Sequence, residues 1–387
     1  MRLAATALLL AVSLIGTLRA GGQAGPGIAG DPGAALESLA DDLRAEYGLP
    51  GIIIAFRQGD HPVHVLVSGV RRVGHDADLK ADDRMHLGSV SKSLAATVIG
   101  DLVADGLLAW ETRLLDVFPE LAERTLAAFR GVTVQDLLNH EARFLPFTDD
   151  TEIARAPAFT GSPRRMREAF VAWAVTQPSQ VVPPDDDPYS NAGYTVLAAV
   201  AERVTDQSFE RLCQERLFNR LDLRTAGFGW PTSVDEAAPW GHWHRHGTFV
   251  PHPPNDDYRL GPMFAAAGDM HMSVPDLLTF GEAHLAALAG SEDTFDPGMV
   301  QRLHTTETGY ASGWYVRPTG HYHTGSAQTF FATLLVSPAR DTVIALATNG
   351  SDPEHEFALA GKVLGRVYRA YGVMNRNDED GVPVDEG

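Results

Sequence analysis

Residues 85–100 have the sequence MHLGSVSKSLAATVIG, in which Ser89 and Lys92 stand three positions apart at the start of an apolar run. The run predicts a buried helix that opens near Ser89, with neighbouring serines available to cap it. Residues i and i+3 lie on one face of a helix, so we expect the Ser89 hydroxyl and the Lys92 amine to meet.

Lysine is unusual at this place. The chain contains only Lys80, Lys92 and Lys362, and Lys92 alone has a serine three residues before it. A cation near a helix N-terminus opposes the helix dipole, and apolar neighbours disfavour the charged amine. A neutral lysine beside a serine hydroxyl is what a Ser-Lys nucleophile pair requires. A lone S-x-x-K is also compatible with a solvated lysine at a helix start, so the rest of the chain has to decide.

Composition indicates a globular, acidic protein. The chain has 387 residues, of which 44% are hydrophobic and 21% charged, and its formal net charge is -19. The length allows a large core, and the acidic balance argues against a nucleic-acid or anionic-membrane partner. The single cysteine, Cys213, excludes an intrachain disulfide and a cysteine-ligated metal cluster. Its helical surroundings predict a buried structural thiol.

Residues 1–24 have the pattern of a signal peptide followed by the start of a linker. Arg2 precedes a nearly all-apolar segment, Leu3 to Leu18, and small residues follow from Ala20. We therefore expect an exported protein, periplasmic or secreted, with no stable membrane span after cleavage. An uncleaved membrane anchor is the alternative, because the apolar segment approaches the minimum spanning length.

The hydrophobic pattern predicts an α/β (α+β) fold with the catalytic domain at 34–372 and a disordered acidic tail at 373–387. A mostly helical lobe, about 98–225, separates two groups of strands. If both groups share one antiparallel sheet, the terminal helices can cover one of its faces, and the active site lies between sheet and lobe. The predicted elements outside the lobe are a helix at 34–47, strands at 51–57, 63–70, 313–317, 320–325, 330–337 and 341–347, and a helix at 357–371.

A second polar motif is Tyr189-Ser190-Asn191, which follows a Pro/Asp-rich loop and precedes an apolar helix. A loop end at this position can point side chains into a cleft. Tyr189 could relay a proton, and Asn191 could hold a substrate amide. An N-capping turn with a packed tyrosine would give the same pattern.

A third motif, His323-Thr324-Gly325-Ser326, closes a strand directly before another strand. Gly325 would let a ligand approach the backbone, and an edge strand offers N–H groups to a substrate or a developing oxyanion. An ordinary strand with a glycine bulge is the alternative.

Histidines alternate at His242, His244 and His246, which on a strand would share one face. Such a set can bind a metal, but Arg245 is adjacent and no carboxylate evidently completes the set. We therefore expect neither a metal nor another cofactor.

The three motifs in this order resemble those of the serine β-lactamase and penicillin-binding-protein superfamily: S-x-x-K, Y-x-N and H-T-G. The tyrosine is similar to that of the class C β-lactamase-related branch, which includes DD-peptidases, esterases and D-aminopeptidases. Two flanking stretches, 132–140 (VTVQDLLNH) and 264–273 (FAAAGDMHMS), look like further signatures of that branch. The resemblance covers about Leu36 to Tyr371.

The resemblance implies a role for each motif residue and implies no metal. Ser89 would be the acylating nucleophile and Lys92 its general base, while Tyr189 would assist proton transfer to the leaving group. The backbone N–H groups of Ser89 and Ser326 would form the oxyanion hole. The implied substrate-binding residues are Asn191 for an amide, His323 and Thr324 for a carboxylate or for polarising Tyr189, and Gly325.

Two departures from the family pattern bear on the substrate. His323 stands where many β-lactamases have lysine, and a histidine is only partly charged at neutral pH. Ala327-Gln-Thr-Phe330 replaces the usual glycine-rich run. We predict an exported serine hydrolase that acts on a small-molecule or peptide-like ester or amide, of esterase or D-amino-acid peptidase type. A β-lactamase or DD-carboxypeptidase, and a catalytically weak binding protein using the same cleft, are the alternatives.

Overall fold

The computed structural model describes residues 32–148, 150–182, 188–254 and 261–373. The predicted leader and all but the first residue of the predicted tail lie outside these ranges. The strands are β1 (Gly51–Gln58), β2 (His64–Gly69), β3 (Met85–His86), β4 (Gly227–Phe228), β5 (His242–Arg245), β6 (Thr248–Pro251), β7 (Met270–Met272), β8 (Tyr310–Ala311), β9 (Trp314–Arg317), β10 (Gly320–Ser326), β11 (Phe331–Ser337) and β12 (Thr342–Thr348).

Helices fill the chain between the strands and at both ends. They are α1 (Leu39–Tyr47), α2 (Ser91–Ala104), α3 (Leu114–Val117), α4 (Val134–Leu138), α5 (Asp150–Arg155), α6 (Pro163–Ala174), α7 (Asn191–Thr205), α8 (Phe209–Cys213), α9 (Pro231–Val234), α10 (Ala265–Gly268), α11 (Val274–Leu288), α12 (Pro297–Leu303) and α13 (Glu356–Ala370).

One seven-stranded antiparallel sheet contains both predicted groups of strands, in the order β2-β1-β12-β11-β10-β9-β8. The two groups join where β1 pairs with β12, with Ile52 opposite Thr348 and Gln58 opposite Thr342. The single shared sheet is therefore confirmed. This closure brings the third motif on β10 into the same sheet as the N-terminal strands, two strands away from β12.

Each face of the sheet supports a separate core, because side chains on a strand alternate between faces. Ile52, Ile54 and Phe56 pack in one core with residues of α1 and α13. Ile53 and Ala55 face the other core, which contains α2, α11 and the helical lobe. The terminal helices thus cover one face, as predicted.

The segment that contains Ser89 and Lys92 follows a small sheet with the strand order β3-β7-β4. β3 leads directly into a single 3-10 turn, Gly88–Val90, and then into α2. Ser89 therefore lies in the turn, and the α-helix begins two residues later than the sequence pattern suggested. Between Met85 and Gly100, every residue except Ser89 is buried. The apolar run consequently presents Ser89 at the edge of a core-embedded helix.

Several predicted boundaries were wrong. α1 begins at Leu39 because a 3-10 turn, Pro32–Leu36, comes first. α2 ends at Ala104, before Gly106, whose φ of 70° breaks the helix. Within the predicted helical lobe, the segment from Trp110 to Leu121 is helical only in α3 and a 3-10 turn, and residues 146–163 contain α5. Tertiary contacts override weak local preference in such short segments.

Among the described residues, none of the helices combines the length and the apolar character needed to cross a bilayer.

Candidate active site

The Ser89 turn is held by its own backbone and by a buried serine. Ser91 Oγ donates to Gly88 O at 2.7 Å and accepts from Met270 N at 3.2 Å, which ties the turn to β7. Gly88 has a φ of 50°, the left-handed region that favours glycine. The turn therefore projects Ser89 away from the core while its neighbours remain inside it.

Lys92 is fully buried, and three oxygen atoms surround its amine. Nζ lies 3.1 Å from Ser89 Oγ, 2.7 Å from Asn191 Oδ1 and 2.5 Å from Ala267 O. Desolvation lowers the pKa of Lys92 well below that of an exposed lysine. The first and second motifs thus meet at one nitrogen, which is poised to be uncharged.

Tyr189 and Asn191 reach the site from the start of α7. Ser190 caps this helix by accepting from Gly193 N at 3.0 Å, so the motif is a capping turn as well as a site element. Asn191 Nδ2 donates to Phe147 O at 2.8 Å, which turns its Oδ1 toward Lys92. The Tyr189 ring lies 4.7 Å from Lys92 Nζ, and its hydroxyl is hydrogen-bonded to Ser89.

The phenol of Tyr189 is held protonated. Burial is the main cause that raises its pKa well above the usual tyrosine value, and the hydrogen bond with Ser89 only partly offsets the effect. Lys92 and Tyr189 are therefore shifted in opposite directions. An amine kept neutral and a phenol kept protonated have the forms needed for a base and an acid, respectively.

The end of β10 is open on the side of the Ser89 turn. In the described chain, β9 pairs with β10 only at Gly320, His321 and Tyr322, whereas β11 pairs with it as far as Ser326. Ala327 N donates to Phe330 O. In an antiparallel pair the backbone N–H groups of successive residues point alternately toward and away from the partner strand, so this bond fixes which N–H groups of β10 face β11. The alternation points the N–H of Ser326 away from β11, toward the open edge.

The two predicted oxyanion donors are brought together by a pair of glycines. A Cβ on Gly325 would lie 2.0 Å from Leu87 O and 2.6 Å from Ser89 N, and a Cβ on Gly88 would lie 2.8 Å from Ser326 N. The missing side chain of Gly325 admits the Ser89 turn. The assignment of Gly325 as a substrate contact remains a prediction.

His323 is buried, and both of its ring nitrogens have partners. Nδ1 lies 2.6 Å from Thr324 O, so it carries the proton, and Nε2 accepts from the Tyr310 hydroxyl at 3.3 Å. Tyr310 in turn lies 3.1 Å from Nε2 of His140, whose Nδ1 accepts from Ser190 N. The hydrogen bonds run in one direction from His140 through Tyr310 to His323.

This His-Tyr-His chain is uncharged. Burial lowers the pKa of His323 to about 3 and that of His140 well below its usual range. The His140 ring lies 4.4 Å from the Tyr189 ring, so the chain backs the second motif directly. His323 therefore enters the site as a neutral supporting group with no free ring nitrogen. Its predicted role in binding a substrate carboxylate remains a prediction.

The Thr324 side chain lies on the opposite face of β10 from His323 because strand side chains alternate. Thr324 lines a cavity between the sheet and α13, together with Tyr322, Leu335 and Leu364. Only the backbone of Thr324, at the open edge of β10, faces the Ser89 turn. Its predicted hydroxyl contact with substrate remains a prediction.

Beneath the nucleophile turn, His86 and Asp269 form a fully buried pair. His86 Nε2 lies 3.1 Å from Asp269 Oδ1, and Nδ1 accepts from Gly88 N at 3.2 Å. Because Nδ1 accepts a hydrogen bond from Gly88 N, the ring proton lies on Nε2, which donates it to the Asp269 carboxylate. The pair therefore holds Gly88, the residue before Ser89, in place.

The alternating histidines do not converge on a common point. β5 ends at Arg245, so His246 lies in the following turn, with a φ of 52°. His242 is buried with Nδ1 2.6 Å from Asn349 O and Nε2 accepting from Val73 N. His244 lies 3.3 Å from Asp352. In the described ranges, no group of three His, Cys, Asp or Glu side chains has a geometry suited to a metal ion.

Sequence reasoning missed several residues of this site. His140 and Ala267 lie in flanking stretches that were recognised only as signatures, 132–140 and 264–273. Asp269 lies in the second of these stretches, and Tyr310 had no sequence signal, because it acts through partners that are distant in the chain. A polar residue at a predicted buried position was the one hint available for His86.

A family model described as Beta-lactamase matches residues 36–368. The chain is 30% identical over 334 residues to Penicillin-binding protein 4 of Amycolatopsis lactamdurans, which covers 80% of this chain and 83% of that protein. It is 24% identical over 251 residues to a Beta-lactamase of Escherichia coli K12, covering 65% and 60% of the two chains. A Lovastatin esterase of Penicillium rubens is 26% identical over 192 residues, covering 46% and 48%.

Solved structures share the fold. The crystal structure of SurE superposes with a TM-score of 0.70 at 22% identity and covers 88% of this chain and 76% of its own. A class C beta lactamase from Rhodobacter sphaeroides superposes with a TM-score of 0.67 at 18% identity, covering 88% and 99%. At these identities, the likeness supports the predicted fold class and nothing finer.

Proposed function

Because the chain belongs to the Beta-lactamase family, we propose that it cleaves an ester or amide through an acyl-enzyme formed on Ser89. Family membership makes it a serine hydrolase of the β-lactamase and penicillin-binding-protein type. The observation that carries the finer proposal is the surroundings of Lys92 Nζ. Two of its three contacts are carbonyl oxygens, and the third is Ser89 Oγ.

Acylation follows from these contacts. Ser89 Oγ attacks the carbonyl carbon of the substrate, and its proton passes to the lone pair of Lys92 Nζ. The carbonyl oxygen becomes an oxyanion that the N–H groups of Ser89 and Ser326 stabilise. The bond to the leaving group then breaks, and the phenol of Tyr189 supplies a proton to it. Protonated Lys92 then passes its proton to the Tyr189 phenolate, because acylated Ser89 no longer carries one, so no net charge accumulates.

Deacylation reverses the roles with water as the attacking group. Water loses a proton to the base assembled by Lys92 and Tyr189, attacks the acyl carbon and forms the acid product. Ser89 Oγ leaves as the hydroxyl after it regains a proton. Each turnover consumes one water and releases one alcohol or amine and one carboxylic acid.

The substrate class that we propose is a neutral ester or small amide. His323 and Lys92 are the two basic side chains of the motifs, and burial favours the uncharged form of both. Neither supplies a cation for a carboxylate next to the scissile bond. The likeness of part of the chain to an esterase supports an ester in particular.

A peptidase or β-lactamase activity is the second candidate. The relative that aligns over 80% of this chain is a penicillin-binding protein. Against a binding protein without catalysis stands the burial of Lys92, since desolvating an amine costs free energy that ligand binding alone does not require.

A labelling experiment tests the proposal. A fluorophosphonate probe should modify the folded protein at Ser89, as located by peptide mass spectrometry, and the Ser89→Ala variant should not react. A panel of p-nitrophenyl esters, D-amino-acid amides and nitrocefin then separates the substrate classes. We expect ester hydrolysis without nitrocefin turnover. Absence of labelling by both the fluorophosphonate and a labelled penicillin would overturn the serine-hydrolase mechanism.

We also propose that the protein is exported, on the basis of the apolar segment from Leu3 to Leu18 behind Arg2. Expression of the full chain in a bacterial host should yield a periplasmic or secreted protein whose N-terminus lies beyond residue 18. An intact N-terminus in the cytoplasmic fraction would contradict export.

A further inference from the structure

Ser326, which offers the second oxyanion N–H, is connected by its side chain to a carboxylate outside the three motifs. Its Oγ lies 2.9 Å from Ser351 Oγ, and Ser351 Oγ donates to Glu356. Gln328 N donates to Ser326 Oγ at 3.3 Å. Burial raises the pKa of Glu356, and hydrogen bonds with Ser351 and Ser326 oppose this effect. Because a carboxylate only accepts, the ionised form of Glu356 draws the hydroxyl protons of both serines toward it.

The connection spans two parts of the fold. Ser326 ends β10, whereas Glu356 is the first residue of α13, where the helix dipole favours a negative charge. Ser351 is buried, and a parallel bridge to Trp243 of β5 holds its backbone. The chain of hydroxyls therefore anchors the end of β10 to a helix that packs on the other face of the sheet.

The end of β10 needs such an anchor because another strand pairs with it on one side only. In the described chain, β9 stops pairing at Tyr322, so residues 323–326 are paired through β11 alone. The following hairpin turn contains Gln328, an exposed residue with a φ of 59°. An oxyanion donor works only when it is held in place before the reaction, and an error of about 1 Å can lower a rate by roughly 100-fold.

We propose that Ser351 and Glu356 are positioning residues that clamp Ser326 through its hydroxyl and so fix the oxyanion-hole N–H of Ser326. This inference rests on the proposed hydrolase mechanism and extends it to residues that no motif contains. Neither Ser351 nor Glu356 touches the substrate. They act on the transition state through the backbone geometry at the end of β10.

The clamp predicts a defined kinetic signature. An oxyanion hole binds the transition state better than the substrate. A less fixed position of the Ser326 N–H therefore lowers kcat and leaves KM nearly unchanged. Ser351→Ala and Glu356→Leu should each lower kcat for p-nitrophenyl acetate by about tenfold. Glu356→Gln should remain within about twofold of the unmodified enzyme, because the amide oxygen still accepts from Ser351.

A double-mutant cycle separates the clamp from general loss of stability. Ser326→Ala removes the hydroxyl and keeps the backbone N–H, so it should show the same defect as Ser351→Ala. The double variant should be no slower than either single variant, since both break one chain. Independent structural damage would instead multiply the two defects and would overturn the proposal.

The matched control is Glu354→Leu, which changes an exposed glutamate two residues from Glu356. It should leave kcat unchanged. Fluorophosphonate labelling of the unmodified enzyme comes first, because its failure would refute the hydrolase mechanism and not the clamp alone. If the unmodified enzyme is labelled and both Ser351→Ala and Glu356→Leu turn over ester at the normal rate, the clamp is refuted and the hydrolase stands. Thermal unfolding of each variant shows that the proteins compared are folded.

Discussion

Lys92 Nζ lies 3.1 Å from Ser89 Oγ, and its other two partners, Asn191 Oδ1 and Ala267 O, can only accept hydrogen bonds. A neutral amine has two N–H groups and one lone pair. The two carbonyl oxygens take the N–H groups, so the lone pair is left for the serine proton. In the proposed mechanism, the neutral amine is therefore oriented to accept the Ser89 proton.

Replacing Lys92 should abolish acylation while the protein stays folded. We expect Lys92→Met and Lys92→Arg each to slow ester hydrolysis by at least about 1,000-fold, because neither side chain can accept the Ser89 proton at neutral pH. Burst kinetics with p-nitrophenyl acetate measure the acylation step. Lys80→Ala, at an exposed lysine, is the control and should react normally. A Lys92→Arg enzyme with near-normal rates would remove lysine from the base role.

Burial of Lys92 should make the stability of the protein depend on pH in a definite direction. Desolvation lowers its folded pKa, so between that value and the unfolded pKa of about 10.5 the unfolded state binds more protons. The free energy of unfolding therefore rises with pH in that window. Urea unfolding of the unmodified protein and of Lys92→Met should show that the unmodified protein gains stability relative to the variant as the pH rises from about 6 to about 9. A constant difference would mean that Lys92 is charged in the fold.

Four buried histidines should make the fold sensitive to acid. Burial lowers the pKa of His242 and His271 to about 4, and that of His284 and His323 to about 3. Below about pH 6.5 the unfolded state takes up protons that the folded state does not, so stability falls as the pH falls. Each histidine contributes a slope of about 1.4 kcal/mol per pH unit until its folded pKa is reached.

The variant His242→Gln tests the contribution of one group. In the variant, the slope of the unfolding free energy against pH, between about pH 6 and about pH 4, should be smaller by the amount that corresponds to uptake of about one proton on unfolding. A stability that does not change over this range would contradict the neutral, buried state of these rings.

The contact between Gly325 and the Ser89 turn should not tolerate a methyl group. In Gly325→Ala the Cβ would lie 2.0 Å from Leu87 O, so the turn and the strand must separate. We expect fluorophosphonate labelling to slow by at least about 100-fold, because the two oxyanion donors move apart. Gly131→Ala is the matched control, since a Cβ there meets nothing within 4 Å. Labelling of Gly325→Ala at the normal rate would disprove the close approach.

The hydroxyl of Tyr310 should contribute to stability through the two histidines it joins. In Tyr310→Phe, Nε2 of His323 loses its donor, and the N–H of His140 loses its acceptor, both within the core. Unsatisfied buried polar groups cost roughly 1–3 kcal/mol each, so we expect a loss of at least about 2 kcal/mol in urea unfolding. A change below about 0.5 kcal/mol would show that the chain of hydrogen bonds does not form.

The sequence allowed much of the sheet and the core of the active site to be predicted. The strands β1, β11 and β12 were predicted because each is a short, largely apolar run, which is typical of a strand buried on both faces of a sheet. Ser89 and Lys92 were found because a three-residue spacing on a helix start is a local relationship. Short helices inside the predicted lobe, such as α3 and α5, were not placed individually, since their few residues carry little helix propensity and their packing decides whether they form.

The supporting residues could not be predicted in the same way. His140 and Tyr310 are separated by about 170 positions, yet their side chains are hydrogen-bonded in the core. No local pattern encodes such a pairing. The same holds for Ser326 and Glu356, whose connection passes through a third residue, Ser351.

The sequence by itself determined which groups can react: a serine and a lysine at i and i+3, a tyrosine before a helix, and a glycine at the end of a strand. The tertiary structure decided their protonation and their spacing. Burial in the lobe lowers the pKa of Lys92, and Ser326 reaches Ser89 because two distant glycines, Gly88 and Gly325, allow the backbones to touch. Desolvation and close packing arise only when remote segments meet, so neither could be read from a local stretch of the chain.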